Sequence, residues 1–210
     1  HLSSQFDSEL NRVSSNVLEL GGLVEMQIRQ AIYALSEFSI EVADQVEKDE
    51  QRVNALELEI DRELSNIIAR RQPTAIDLRL LLAISKTTAN LERVGDESAK
   101  IARMAKSIAQ SGAARQLPTL DLRVSADLAS GLLRKALDAF ARLDTEKAVE
   151  VLKLDDQIDQ EFDGLLLLET REEAAQAHIT LVSSGVMSIS SRRVDEALTS
   201  TAGKMRLSAS

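Results

Sequence analysis

Apolar side chains recur at Phe6, Leu10, Val13, Val17, Leu20, Val24, Ile28, Ala31 and Leu35, in steps of three and four residues. That spacing is the seam of an amphipathic α-helix, and strand alternation cannot produce it. It predicts a helix from about Phe6 to Ser36. A second seam, Ile40, Ala43, Val46, Val53, Leu56, Ile60, Leu64 and Ile67, opens after Ser39 as a cap and closes at Arg70-Arg71, whose charges suit a helix C-terminus. Pro73 breaks the chain, and Thr74-Ala75-Ile76-Asp77 reads as a capping box opening a third helix. That helix carries Leu78, Leu81, Ile84, Leu91, Ile101 and Ala105 and ends near Ser111-Gly112.

Between Ser111 and Thr119, Gly112 and Pro118 mark the one clear break in mid-chain, placing a boundary between residues 1–112 and 118–210. A fourth helix is expected from Leu120 to Leu143, with Val124, Leu128, Leu132, Ala136 and Phe140 in register. A turn at Asp144-Thr145 leads into a fifth, reaching about Glu169. The halves align with each other. Ala34-Leu35 and Phe38 match Ala136-Leu137 and Phe140 at an offset of 102, and Ala43, Val46 and Val53 match Ala148, Val151 and Ile158 at 105. A three-residue difference in the intervening turn would account for the change. The expected fold is all-α: two tandem three-helix bundles produced by internal duplication.

Composition agrees. Aromatic residues make up 2% of the 210-residue chain and Trp is absent, so Leu, Ala, Ile and Val must fill the core, as in helical bundles. A net charge of −9 disfavours non-specific binding to nucleic acid or anionic lipid. With no Cys there is no disulfide framework, thiolate zinc site or cysteine nucleophile. The longest apolar run, Leu80 to Ile84, is far short of the roughly 20 residues that span a bilayer. A cytoplasmic protein is expected, meeting the membrane only through partners.

The chemistry lies in carboxylates. Glu92 and Asp96, in Leu91-Glu92-Arg93-Val94-Gly95-Asp96-Glu97, share one helix face a turn apart. The Gly between them costs about 1 kcal/mol against Ala in a helix interior, which points to close approach of a neighbouring helix or a metal-bound group. Glu57 and Asp61 repeat the spacing on helix 2. If helices 2 and 3 are antiparallel, the four carboxylates converge on one patch able to hold Fe, Mn, Mg, Ca or Zn, with carboxylates bridging ions in a multinuclear site. The competing reading is a solvated acidic face, since nine carboxylates lie between Glu41 and Glu63. In the second half, Asp155, Asp159 and Asp163 stand four apart. The repeat alignment sets Asp159 opposite Asn54 rather than Glu57.

Other chemistries find no support. A di-iron carboxylate oxidase needs Glu-x-x-His on two helices, whereas Ala175 precedes His178 by three residues. His178 is read as a surface or packing residue. Gly21-Gly22 lacks the preceding strand of a phosphate loop and is read as a close helix contact.

Leu91-Glu92-Arg93-Val94-Gly95-Asp96, preceded by Leu78-Arg79-Leu80 and Ala83-Ile84-Ser85-Lys86, strongly resembles the PhoU family of phosphate-regulon proteins. So do Gly21-Gly22-Leu23-Val24-Glu25 and the stretch from Val53 to Asp61; Ala136 to Gly164 looks like the family's second repeat. The resemblance implies two PhoU-type bundles whose Glu/Asp-x-x-x-Asp motifs bind metal ions, iron or zinc first among them. The implied ligands are Glu57, Asp61, Glu92 and Asp96 in one half and Asp159 and Asp163 in the other. It further implies a non-catalytic negative regulator that couples the phosphate-transporter ATPase to the phosphate-sensing histidine kinase. A homodimer is expected as well, since a missing sixth helix would expose apolar surface of helices 4 and 5.

From about Leu165 onward the resemblance ends. A second Glu-Arg-x-Gly-Asp is expected about 105 residues after Glu92, and the nearest text is Arg192-Arg193-Val194-Asp195-Glu196. A divergent or incomplete sixth helix is therefore expected, leaving Asp159 and Asp163 without their partner pair.

Overall fold

Each helix boundary is set by local chemistry. In the computed structural model, which describes residues 2–111 and 119–155, α1 (Leu2–Glu37), α2 (Ile40–Arg71), α3 (Ala75–Ser111) and α4 (Thr119–Arg142) follow one another. Helical backbone resumes at residue 145 and is described through 155, forming α5. Ser39 is an extended N-cap whose Oγ accepts from the Val42 N–H at 3.3 Å. Gln72 closes α2 in the left-handed region, its N–H donating to the Ile68 carbonyl at 3.2 Å. Thr74 and Asp77 make the expected capping contact: the Asp77 N–H donates to Thr74 Oγ1 at 3.5 Å, and the Thr74 hydroxyl in turn donates to Asp77 Oδ2 at 2.6 Å. α1 begins ahead of its seam, because once nucleated a helix propagates through backbone bonds that polar residues make equally well.

The core runs along α1. Val13, Val17, Leu20, Val24, Ile28, Ala31 and Leu35 are buried with Val46, Val53, Ile60 and Leu64 of α2 and Leu81, Ile84, Leu91 and Ala102 of α3. These three helices form an up-down-up bundle. α4 packs against α1 and adds Ala126 and Leu133 to the same core. A smaller cluster of Leu132, Ala136 and Val151, with Leu154 against it, starts a second core between α4 and α5. α1 thus touches α2, α3 and α4. Its Gly21 allows the approach of α4: a Cβ there would lie 2.5 Å from Leu137 Cδ1. Gly22 faces open space, so only the first glycine of the pair serves as the expected close contact. From this contact toward the end of α1, Arg134 pairs with Glu25, and Arg123 with Glu37.

The duplication is visible in the turns, and it corrects the register. Phe38 and Leu143 both hold positive φ, at 53° and 51°. The N–H groups of Ser39 and Asp144 donate to the carbonyls of Ala34 and Ala139, and Ala43 and Ala148 donate back to Ser39 and Asp144. Ser39 Oγ and Asp144 Oδ1 cap the following helices by accepting from Val42 and Lys147. The two turns are equal in length, and the offset of 105 already holds at the end of α1. The alignment of Ala34 with Ala136 is one step out of register. An apolar stripe repeating every three to four residues looks nearly the same after a three-residue slip, whereas a hydrogen-bonded turn does not.

The expected end of helix 5 near Glu169, the break at 112–118 and the sixth helix lie outside the described residues. Among the described residues, no helix is long and apolar enough to cross a membrane.

Candidate functional site

α2 and α3 run antiparallel, as cross-helix contacts with opposed numbering show. Lys106 Nζ reaches Asp44 and lies 3.5 Å from Glu47; Arg103 meets Glu50 at 3.1 Å; at the far end the Ser85 hydroxyl donates to Asp61 Oδ1 at 3.5 Å. The α3 members of this seam, Ser85, Glu92, Asp96, Arg103 and Lys106, follow one stripe in steps of seven, four, seven and three. Towards the start of α2, therefore, each acidic residue on the seam meets a base.

Midway the pattern changes sign. Glu57 faces Glu92 across the two helices, with Asp61 and Asp96 one turn from each on their own helices; all four are half-buried, and among the described residues no Lys or Arg forms an ion pair with any of them. Partial burial, then the neighbouring charges of Asp96 and Glu57, push the Glu92 carboxyl above the ordinary Glu range; Glu92 also shares a hydrogen bond with Asp96. Arg93 offsets only part of this. The Glu57 carboxyl is likewise raised, by burial first and then by Asp61. Both shifts have the sign expected of like charges held together without a counter-ion. By contrast, the Asp44 carboxylate holds the Lys106 ammonium above its usual value through a hydrogen bond.

The expected antiparallel orientation of α2 and α3 is met, but it brings only Glu57 and Glu92 level with each other; Asp61, beside Ser85, and Asp96 lie one turn away in opposite directions. A closed ligand cage is absent; among the described residues no group of three or more His, Cys, Asp or Glu side chains is arranged to hold a metal ion. The donors offered are carboxylate oxygens and the Ser85 hydroxyl, a set chemically suited to a hard cation. Asp159, Asp163, His178 and Arg192 to Glu196 lie outside the described residues.

Gly95 does not serve the acidic face. It is buried on the adjoining, core-facing side of α3, where an added Cβ would stand 2.9 Å from Gln27 Oε1 and 3.1 Å from Val53 Cγ1. Of the two explanations its cost invited, a neighbouring helix is the one observed. Sequence reasoning passed over Lys106, Arg103 and Ser85, although following the Glu92–Asp96 stripe two turns back and two to three turns on finds all three.

The PhoU domain model matches residues 17–105 and 122–191. The second match continues past Leu165, where sequence reading ended the resemblance, and stops before Arg192. The phosphate-specific transport system accessory protein PhoU homolog of a Burkholderia species is 41% identical over 199 residues, covering 93% of this chain and 83% of that protein. The accessory protein PhoU of Escherichia coli K12 is 39% identical over 166 residues, covering 79% of this chain and 68% of that one. The crystal structure of PhoU from Pseudomonas aeruginosa superimposes with a TM-score of 0.75 at 34% identity, covering 96% of each chain.

Proposed function

The chain belongs to the PhoU family, and from this we propose that it is a non-catalytic accessory regulator of a phosphate-specific transport system, using its acidic seam as a metal-dependent docking face. In this role it restrains the phosphate regulon when phosphate is abundant. Its partners are the transporter ATPase and the phosphate-sensing histidine kinase, and it acts as a homodimer in the cytoplasm, reaching the membrane through those partners. We divide it into repeats 1–112 and 118–210.

The observation that carries the metal component is the change of sign along the α2–α3 seam. Three acids near the start of α2 meet Lys106 and Arg103, whereas among the described residues no Lys or Arg forms an ion pair with Glu57, Asp61, Glu92 or Asp96. A bound cation supplies the missing positive charge there. Glu57 and Glu92 would provide oxygens from opposite helices, with Asp61 and Asp96 one turn along from each. Iron or zinc is the candidate cation for this oxygen-only donor set. Asp159 and Asp163 are the candidates in the second half.

A second reading, an interaction bundle with a solvated acidic face, is favoured by the absence of a three-residue cage among the described residues. Element analysis of the full chain after mild chelation separates the two. Loss of bound iron or zinc in the Glu92→Ala/Asp96→Ala protein supports the metal face, and retention of the parent's content rejects it. The regulatory role is tested by replacing a host's own PhoU with this chain and following a phosphate-regulon reporter in phosphate-rich medium. A silent reporter is expected; constitutive expression rejects the role.

A further inference from the structure

Gln27 is fully buried in the core of the first bundle. Its Nε2 donates to the Val46 carbonyl of α2 at 3.3 Å, and its Oε1 has no hydrogen-bond partner among the described residues. That oxygen occupies the notch left by Gly95, in α3 between Glu92 and Asp96. Val53, one turn before Glu57 in α2, presses into the same notch. One amide therefore links α1 to α2 and fills a gap in α3, directly behind the acidic seam.

The fold itself does not call for an amide here. At the offset of 105 defined by the two turns, the residue equivalent to Gln27 is Leu132, an ordinary apolar core residue 3% exposed. A buried polar side chain with half its capacity unmet weakens a core that Leu would fill. Its best attested benefit elsewhere is register: a single buried amide fixes how neighbouring helices align, at a cost in stability.

We propose that Gln27 is the positioning residue of the acidic seam, its amide in the Gly95 notch setting the height at which α3 passes α1 and α2 and so placing Glu92 opposite Glu57. Its consequence for cation binding rests on the metal reading above; the alignment itself does not.

The chain has no cysteine, so disulfide trapping reports alignment cleanly. In the full-length protein, Asp61→Cys/Ser85→Cys places thiols where the native side chains now touch. Adding Gln27→Met, close in volume and lacking the amide, should slow disulfide formation about threefold or more. The melting temperature should move by less than about 4 °C, because a lost hydrogen bond is balanced by removal of an unpaired buried oxygen. With Asp61 and Ser85 intact, Gln27→Met should weaken Mn2+ binding about tenfold, measured by calorimetry with the metal alone. Gln27→Leu, copying the second repeat, replaces the Met variant if the latter fails to fold. Unchanged trapping overturns the proposal, as does slower trapping accompanied by a large loss of melting temperature, which marks a merely structural role. A parent that takes up no Mn2+ counts against the metal reading, while trapping still decides the role of Gln27.

Discussion

Leu137 of α4 lays its side chain on the backbone of Gly21 in α1, so that a Cβ at position 21 would meet Cδ1 at 2.5 Å and Cδ2 at 2.7 Å. The contact sits where the helix that opens the second repeat joins the core of the first. Glycine here allows an approach that a methyl would block.

Gly21→Ala should therefore destabilise the protein by about 1–2 kcal/mol, since overpacking exceeds the gain in helix propensity. Gly22→Ala, with nothing within 4 Å, should stabilise it by up to about 1 kcal/mol. Adding Leu137→Ala to Gly21→Ala should cost less than the two single changes combined, in urea unfolding. Additive losses would show that the two side chains do not compete for one space.

Gly95→Ala tests the second close approach. The new methyl would meet Gln27 Oε1 and the stiff side chain of Val53, and a net loss of about 1 kcal/mol is expected after helix propensity is credited. A stabilised Gly95→Ala protein would mean that the notch is not filled as described.

Acid should help this seam when no cation is bound. Burial and like charge raise the Glu92 and Glu57 carboxyls, so the folded state holds those protons more tightly than the unfolded chain. Their contribution is complete below the ordinary Glu range and is lost as pH rises through the raised values. In chelated protein, Glu92→Gln should raise stability at neutral pH by about 0.5 kcal/mol, with the advantage over the parent shrinking as pH falls into the Glu range. Melting curves of parent and variant from pH 4 to 7.5 check this; a constant difference would place the effect elsewhere.

The turn after α4 carries strain that glycine relieves. Leu143 sits at φ 51° and is exposed, so its side chain contributes little packing to offset a left-handed backbone. Leu143→Gly should stabilise the protein by up to about 1 kcal/mol in urea unfolding. A destabilised variant would show that the leucine does packing work beyond this exposed position.

Much of this arrangement could be read from residue order. The caps at Ser39 and Thr74 and the stop at Arg70-Arg71 follow from side-chain chemistry acting within one turn, so they were visible without neighbours. The opposition of Glu57 to Glu92 needed only the added assumption that consecutive long helices run antiparallel. The repeat register was misread because the apolar stripe tolerates a three-residue slip; the paired turns at Phe38 and Leu143 resolve it through hydrogen bonds that composition does not encode.

The helices, their amphipathic seams and the two acidic pairs were determined by the sequence alone, because they depend on periodicity and on contacts within a few residues. Tertiary structure decided what each special residue is for. It assigned Gly95 to Gln27 and Val53 instead of a metal-bound group, and matched Asp44, Glu47 and Glu50 with bases while leaving Glu92 facing Glu57. These outcomes turn on how high one helix sits against another, to within a fraction of a turn. That height is set by notches and buried amides contributed by distant parts of the chain.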